Sequence, residues 1–138
     1  MKPILVMVYP QVGSAVVVVK NGKILLGKRN KKNMFGKWVL PGGRVEWGET
    51  IKETAVREIK EETNLDIEII KFINHFEIMN LPEDFHRVVF FHLAEAKNDN
   101  IRVSDDLSEA GFFTLDEIKQ MDTVDSVEDV LREAGLWG

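Results

Sequence analysis

The sequence predicts a mixed α/β domain in which helices pack on a β-sheet, and three observations carry that expectation. A continuous β-branched run, GSAVVVVK at 13–20, reads as a buried strand. The segment ETIKETAVREIKEET at 49–63 is rich in Glu, Lys, Ala and Ile, has no glycine or proline inside, and reads as a helix. Two further strand-like stretches follow it, one within 66–79 and one at 86–94.

The elements follow in order. Asn21-Gly22 is a two-residue hairpin signal, and its return strand is KILLGKR at 23–29. A polar loop, NKKNMFGK, leads to a short strand at 38–40, which Pro41-Gly42-Gly43 should end. In the helix, Ile51, Ala55 and Ile59 repeat at i+4 and form the expected core-facing stripe. Asn64 stands where the helix would stop, because asparagine tolerates the left-handed conformation. Pro82 lies in the bridge between the two later strands, and 95–109 is polar and acidic and reads as a loop. Phe112-Phe113 is a short strand, Thr114 and Glu117 form a capping box for a short helix, and a last helix runs from Ser126 to Ala134 before Gly135. The main order, β-β-β-α-β-β-α-α, suits helices layered on a sheet.

The length of 138 residues fits one domain spanning 1–138, large enough for its own core. The chain has no cysteine, which excludes disulfides, thiolate metal sites and cysteine nucleophiles. A net charge of −5 argues against a broad nucleic-acid surface and so against a nucleic-acid polymer as partner. An anionic substrate can still bind if a metal ion inverts the local sign. MKPILVMVYP lacks a signal-peptide pattern, and no apolar run is long enough to span a bilayer, so a cytoplasmic location and no membrane partner are expected.

The chemistry concentrates between Gly43 and Leu65. Glu49 opens the helix, where the macrodipole favours negative charge. Glu58, Glu61 and Glu62 stand at i, i+3 and i+4, so they fall within an arc of about 100° on one helix face. Acidic faces with interspersed lysines are ordinarily just solvated. Here the glycine pair Gly42-Gly43 frees backbone to approach a ligand, and Arg57 is placed to orient carboxylates. Hard divalent cations seek such oxygen clusters, and Mg²⁺ typically takes one or two carboxylates together with substrate phosphate oxygens.

This segment resembles the Nudix box, G-x5-E-x7-R-E-U-x-E-E-x-G-U with U aliphatic. Gly43, Glu49, Arg57, Glu58, Ile59, Glu61, Glu62 and Leu65 match at the required spacing, and Asn64 replaces the final glycine. Trp38-Val39-Leu40-Pro41-Gly42-Gly43, the Val45-Glu46 pair and the run Glu109-Ala110-Gly111-Phe112-Phe113 also resemble the family, so the likeness extends from about Val12 to Ile118. It implies the Nudix α/β/α sandwich, a mixed β-sheet with a loop-helix-loop catalytic motif. It also implies Mg²⁺, or Mn²⁺ in its place, held by Glu61 and Glu62, with Glu58 a further ligand or a base acting on a metal-bound water. Gly42 would offer its carbonyl to the metal, and Glu49 and Arg57 would form supporting ion pairs. In some relatives a base or extra ligand comes from a later loop, for which Glu95, Asp105, Asp106 and Glu109 are available. Homodimers are frequent in the family.

Other residues admit two readings. Lys28 and Arg29 end a strand and either bind phosphate or are simply solvated; with Gly43 they are the candidate substrate contacts. Trp47 and Phe35 flank the site, where packing is the expected role and base stacking the alternative. His75, His86 and His92 show no metal-ligand spacing and are read as structural or surface groups, with His86 able to touch substrate.

The implied reaction converts a nucleoside diphosphate linked to X into a nucleoside monophosphate and phospho-X. The only tyrosine is Tyr9, which argues against the diadenosine-polyphosphate type, and the SQPWPFPxS run of the NADH type is missing. Pro82 lies beyond the spacing of the ADP-ribose type, while the compact run 85–91 resembles the MutT-like, triphosphate-cleaving members. A nucleoside triphosphate is therefore the expected substrate, with ADP-ribose or a nucleotide sugar as the alternative. A non-catalytic Nudix ligand-sensing module is the other reading; such modules usually lose box carboxylates, and all four glutamates are present here.

Overall fold

The computed structural model describes residues 9–138; the N-terminal apolar run at 1–8 lies outside the described residues. Strand β1 (Gln11–Lys20) turns through Asn21-Gly22 into β2 (Lys23–Arg29). Both turn residues take positive φ, 52° and 75°, which is what a primed hairpin turn requires. Then come β3 (Trp38–Val39), β4 (Gly42–Arg44), α1 (Ile51–Thr63), β5 (Ile67–Asn80), β6 (Phe85–Ala96), β7 (Leu107–Phe113), α2 (Leu115–Ile118) and α3 (Asp125–Glu133). A 3₁₀ turn at Leu81–Glu83, with Pro82 in it, joins β5 to β6.

The sheet runs β3-β2-β1-β6-β5, with β4 also on β1 and β7 also on β2. β1 and β6 are parallel from Gln11↔Arg87 to Val19↔Glu95, and the required crossover carries α1. The other pairs are antiparallel, so the sheet is mixed as expected.

Side-chain alternation along the central strands sorts the core into two faces. Ala15, Val17, Ile24 and Leu26 join Ile118, Val127, Val130 and Leu131 from α2 and α3. Val16, Val18 and Leu25 join Ala55 and Ile59 from α1. Helices thus cover both sides of one sheet, the α/β/α sandwich. Of the expected α1 stripe, Ala55 and Ile59 are fully buried, while Ile51 is half-buried and its carbonyl accepts from the Ser14 hydroxyl at 2.8 Å.

Two expectations are corrected. The glycine pair is not only a strand end: β3 stops before Pro41 as expected, but Gly42-Gly43 then opens β4, pairing Gly13–Ala15 of β1. Close approach makes this possible, since a Cβ at Gly42 would fall 2.3 Å from the Ser14 carbonyl oxygen. The stretch 95–109 is not all loop either. β6 continues to Ala96 and β7 begins at Leu107, because 107–113 pair with β2 and bury Leu107.

This topology makes the cleft. β1 and β2 pair only at Val19↔Ile24 and Lys20↔Lys23 beside their turn. Beyond it β1 turns its edge to β4 and β2 to β3, and Leu40-Pro41 passes between them, the Val16 amide donating to the Pro41 carbonyl at 3.0 Å. The opening left by the diverging strands lies over Gly42-Gly43.

Candidate active site

Helix α1 is fixed at both ends. Thr50 and Glu53 form a reciprocal capping box, with hydrogen bonds of 3.1 and 2.8 Å. At the other end Asn64 takes φ 67°, its amide N–H bonding the Lys60 carbonyl, so asparagine substitutes for glycine in the left-handed cap. Its side chain does something glycine cannot: Nδ2 donates to the Asn100 carbonyl at 3.0 Å and ties the following loop to the helix.

Arg57 is the hub of the carboxylates. Its guanidinium bonds Glu49 twice, through Nε at 2.5 Å and Nη2 at 2.9 Å. Its Nη1 reaches Glu58 at 2.7 Å and Glu61 at 3.2 Å, and Nη2 also reaches the Arg44 carbonyl at 3.2 Å. Glu49 accepts further bonds from the Thr54 hydroxyl and the Glu46 amide. Hydrogen bonding from Arg57 and then Thr54 holds its carboxyl down at about 2. Glu49 and Arg57 are thus joined in an ion pair that extends to Glu58 and Glu61.

The three glutamates differ in environment. Glu61 is exposed, Glu58 is half-buried, and Glu62 is 7% exposed. The expectation of one exposed acidic face is thus corrected for Glu62, whose carboxylate turns inward beneath β4 and accepts the Gly42 amide proton at 3.0 Å. Burial pushes the Glu62 carboxyl up to about 8, with the charges of Glu58 and Asp106 adding and the Gly42 bond and Lys31 opposing. Glu58 lies against Gly43, where a Cβ would fall 2.3 Å from its Cδ; glycine leaves the room the carboxylate occupies.

Among the described residues no three acidic or histidine side chains form a ready ligand cage. Arg57 occupies the space between Glu58 and Glu61. The donor set nonetheless fits a hard divalent ion that needs few protein ligands. Glu62 is a buried carboxylate with one N–H partner, and Glu58 is packed on the neighbouring backbone. Gly42 meets this group through its N–H.

Beside the carboxylates lies a cleft of about 70 Å³. Gly42, Gly43, Glu62, Arg29, Phe85 and Arg87 line it. Arg29 is therefore placed in the cleft and Lys28 is not: alternation along β2 sends Lys28 to the other face, 3.8 Å from Glu109. Arg87 escaped the sequence reading. It sits inside the run 85–91, and the only signal was a cation amid a strand whose parallel partner, Gln11, is set by the β1–β6 register.

The remaining candidates separate cleanly. Of the loop acids only Asp106 acts on Glu62. Glu95 sits at the far end of β6, eight residues from Arg87 and so roughly 26 Å along the strand. Trp47 and Phe35 do not show the packing expected of them; both are exposed on loops. His86 pairs with Glu77 at 2.7 Å, and His92 is buried with Nδ1 unpartnered, edge-on to Phe72.

The NUDIX domain model matches residues 10–133. This chain belongs to the Nudix hydrolase family. It is 32% identical over 126 residues to an ADP-ribose pyrophosphatase of Methanocaldococcus jannaschii, covering 90% of this chain and 75% of that one. It is 27% identical over 116 residues to an NAD-capped RNA hydrolase of Pectobacterium carotovorum, spanning 82% of this chain and 43% of that longer protein. Among solved structures, a MutT NUDIX hydrolase from Burkholderia pseudomallei superposes with a TM-score of 0.79 at 30% identity, over 91% of this chain and 98% of that one. The Nudix enzymes are pyrophosphohydrolases that use divalent metal ions and nucleotide substrates. Among the described residues no helix is long and apolar enough to cross a membrane.

Proposed function

We propose that this Nudix hydrolase cleaves a phosphoanhydride bond of a nucleoside diphosphate linked to X in a Mg²⁺-dependent reaction, with a nucleoside triphosphate as its preferred substrate. The observation that carries the reading is the buried Glu62 carboxylate, held by the Gly42 amide beside Glu58 and facing a cleft that also holds Arg29 and Arg87. Glu58 and Glu62 would hold the ion, with Glu61 at the rim. Once bound, Mg²⁺ neutralises phosphate charge and activates water for attack on phosphorus. The chain's own share is positional. Glu49 and Arg57 fix Glu58, Gly43 leaves it room, and Arg29 orients the phosphates, as phosphoryl transfer asks for positioning more than covalent chemistry. Asp106 is the loop carboxylate available to assist.

A second reading, ADP-ribose as substrate, is favoured by the Methanocaldococcus relative, which matches over most of both chains. The test is initial-rate kcat/KM with Mg²⁺ over nucleoside triphosphates, ADP-ribose and nucleotide sugars, with products identified. We expect triphosphates to lead and to give a monophosphate and pyrophosphate. A kcat/KM for ADP-ribose far above every triphosphate assigns the second reading, and no turnover of any nucleotide with Mg²⁺ or Mn²⁺ rejects both.

A further inference from the structure

Arginines in this protein are oriented in two different ways. The charge of Arg57 is consumed by Glu49, Glu58 and Glu61. Arg29 and Arg87 are held instead by neutral partners. Arg29 Nε donates to the Asn33 carbonyl at 2.9 Å and its Nη2 to Asn33 Oδ1 at 2.5 Å. Arg87 Nε donates to Gln11 Oε1 at 3.1 Å, and its guanidinium lies over the Phe85 ring, 4.7 Å from the centroid. Neither makes an ion pair among the described residues, although both line one cleft.

Both guanidiniums are half-buried. Burial lowers the pKa of both arginines, and for Arg87 the positive charges of Arg29 and Arg44 add to this while Glu58 and Glu62 oppose it. Glu62, Asp106 and Glu83 act on Arg29 from around the cleft without closing onto it. Two guanidinium forks are each fixed by an uncharged residue, and among the described residues their remaining N–H groups have no side-chain or backbone acceptor, which suits the bidentate geometry that phosphate oxygens offer.

We propose that Arg29 and Arg87 form an anion site that takes a phosphate or pyrophosphate group without any metal ion, with Arg87 as a phosphate-binding residue. The site rests on the functional reading above in that its anion is the phosphate part of that substrate or product. It gives the cleft two separate holds on a phosphate chain: carboxylates with the ion on one side, and guanidiniums on the other. It also makes released pyrophosphate a competitive ligand of the metal-free enzyme.

The test is calorimetric titration of the metal-free protein with pyrophosphate in EDTA, at fixed ionic strength. Wild type, Arg87→Gln, Arg87→Lys, Arg29→Gln and Glu62→Gln are compared, each checked for an unchanged unfolding midpoint. Wild type should bind saturably, and Arg87→Gln and Arg29→Gln should each bind about tenfold more weakly or worse. Arg87→Lys should recover part of the loss, and Glu62→Gln should bind at least as well as wild type. Wild-type affinity in a folded Arg87→Gln, or no saturable binding by wild type without metal, would overturn the proposal. If pyrophosphate binding depends on Arg87 but no nucleotide is turned over with metal, the anion site stands and the assigned reaction falls.

Discussion

At the scale of single residues, the site depends on where carboxylates are held. Gly43 has no left-handed backbone requirement, so a substitution there acts through space alone. Gly43→Ala should leave the fold nearly intact, because the far end of Glu58 can swing away. The displaced carboxylate should lower kcat by about 100-fold, the scale of an ångström-sized misplacement. Steady-state kinetics beside thermal unfolding checks both halves, and wild-type kcat would show that the position of Glu58 is not critical. The pair Glu49–Arg57 makes a prediction about pH. Arg57 depresses the folded pKa of Glu49 from 4.5 to about 2. Its contribution to stability is therefore complete above pH 4.5 and is lost as pH falls through about 2. The stability gap between wild type and Glu49→Gln, measured by urea unfolding across acid pH, should narrow over that window. A gap that is constant with pH would mean that the charge is irrelevant.

At the scale of elements, the local signals were legible where one segment decides its own conformation. The Asn21-Gly22 turn, the Thr114–Glu117 capping box and the Asn64 stop formed as read. What escaped was set by distant partners. β4 exists because Gly42 can lie against Ser14 and Ala15, and the start of β7, Leu107-Ser108-Glu109, is a strand because β2 pairs with it. In the site the spacing gave the relation among Glu58, Glu61 and Glu62, yet not which of them is buried. That depends on β4 crossing over the helix to offer the Gly42 amide. Arg87 was missed for the same reason, since only the β1–β6 register brings it to the cleft. Asn64 isolates the helix stop. Asn64→Ala should cost about 1–2 kcal/mol through the left-handed backbone, and also lose the tie to Asn100. Asn64→Gly should cost less. Equal urea midpoints for wild type and Asn64→Ala would contradict the cap.

At the scale of the whole molecule, the two faces of the sheet are packed by separate core clusters. Helix α1 carries the carboxylates on one face, and α2 and α3 close the other. Leu131 is fully buried on the face away from α1. Leu131→Ala should destabilise by about 2–5 kcal/mol. Because its cluster does not include the α1 core residues, kcat at a temperature where the variant is folded should stay near wild type. A collapse of kcat with folded protein would mean that the two faces are coupled. The charge of the molecule points the same way: an acidic protein that hydrolyses anions needs locally inverted charge. Two arginines line the cleft, and the proposed cation would supply the rest.

The central claim is that Glu62 is buried to hold a metal ion and not to support the fold. Its most direct test is thermal unfolding of wild type and Glu62→Gln, each with and without Mg²⁺, together with turnover of the best substrate. Removing a buried charge with one N–H partner should leave the metal-free midpoint equal to or above wild type. Mg²⁺ should then stabilise the variant less than wild type, and turnover should fall by orders of magnitude. Near-wild-type turnover, or a large drop in the metal-free midpoint, would contradict the account.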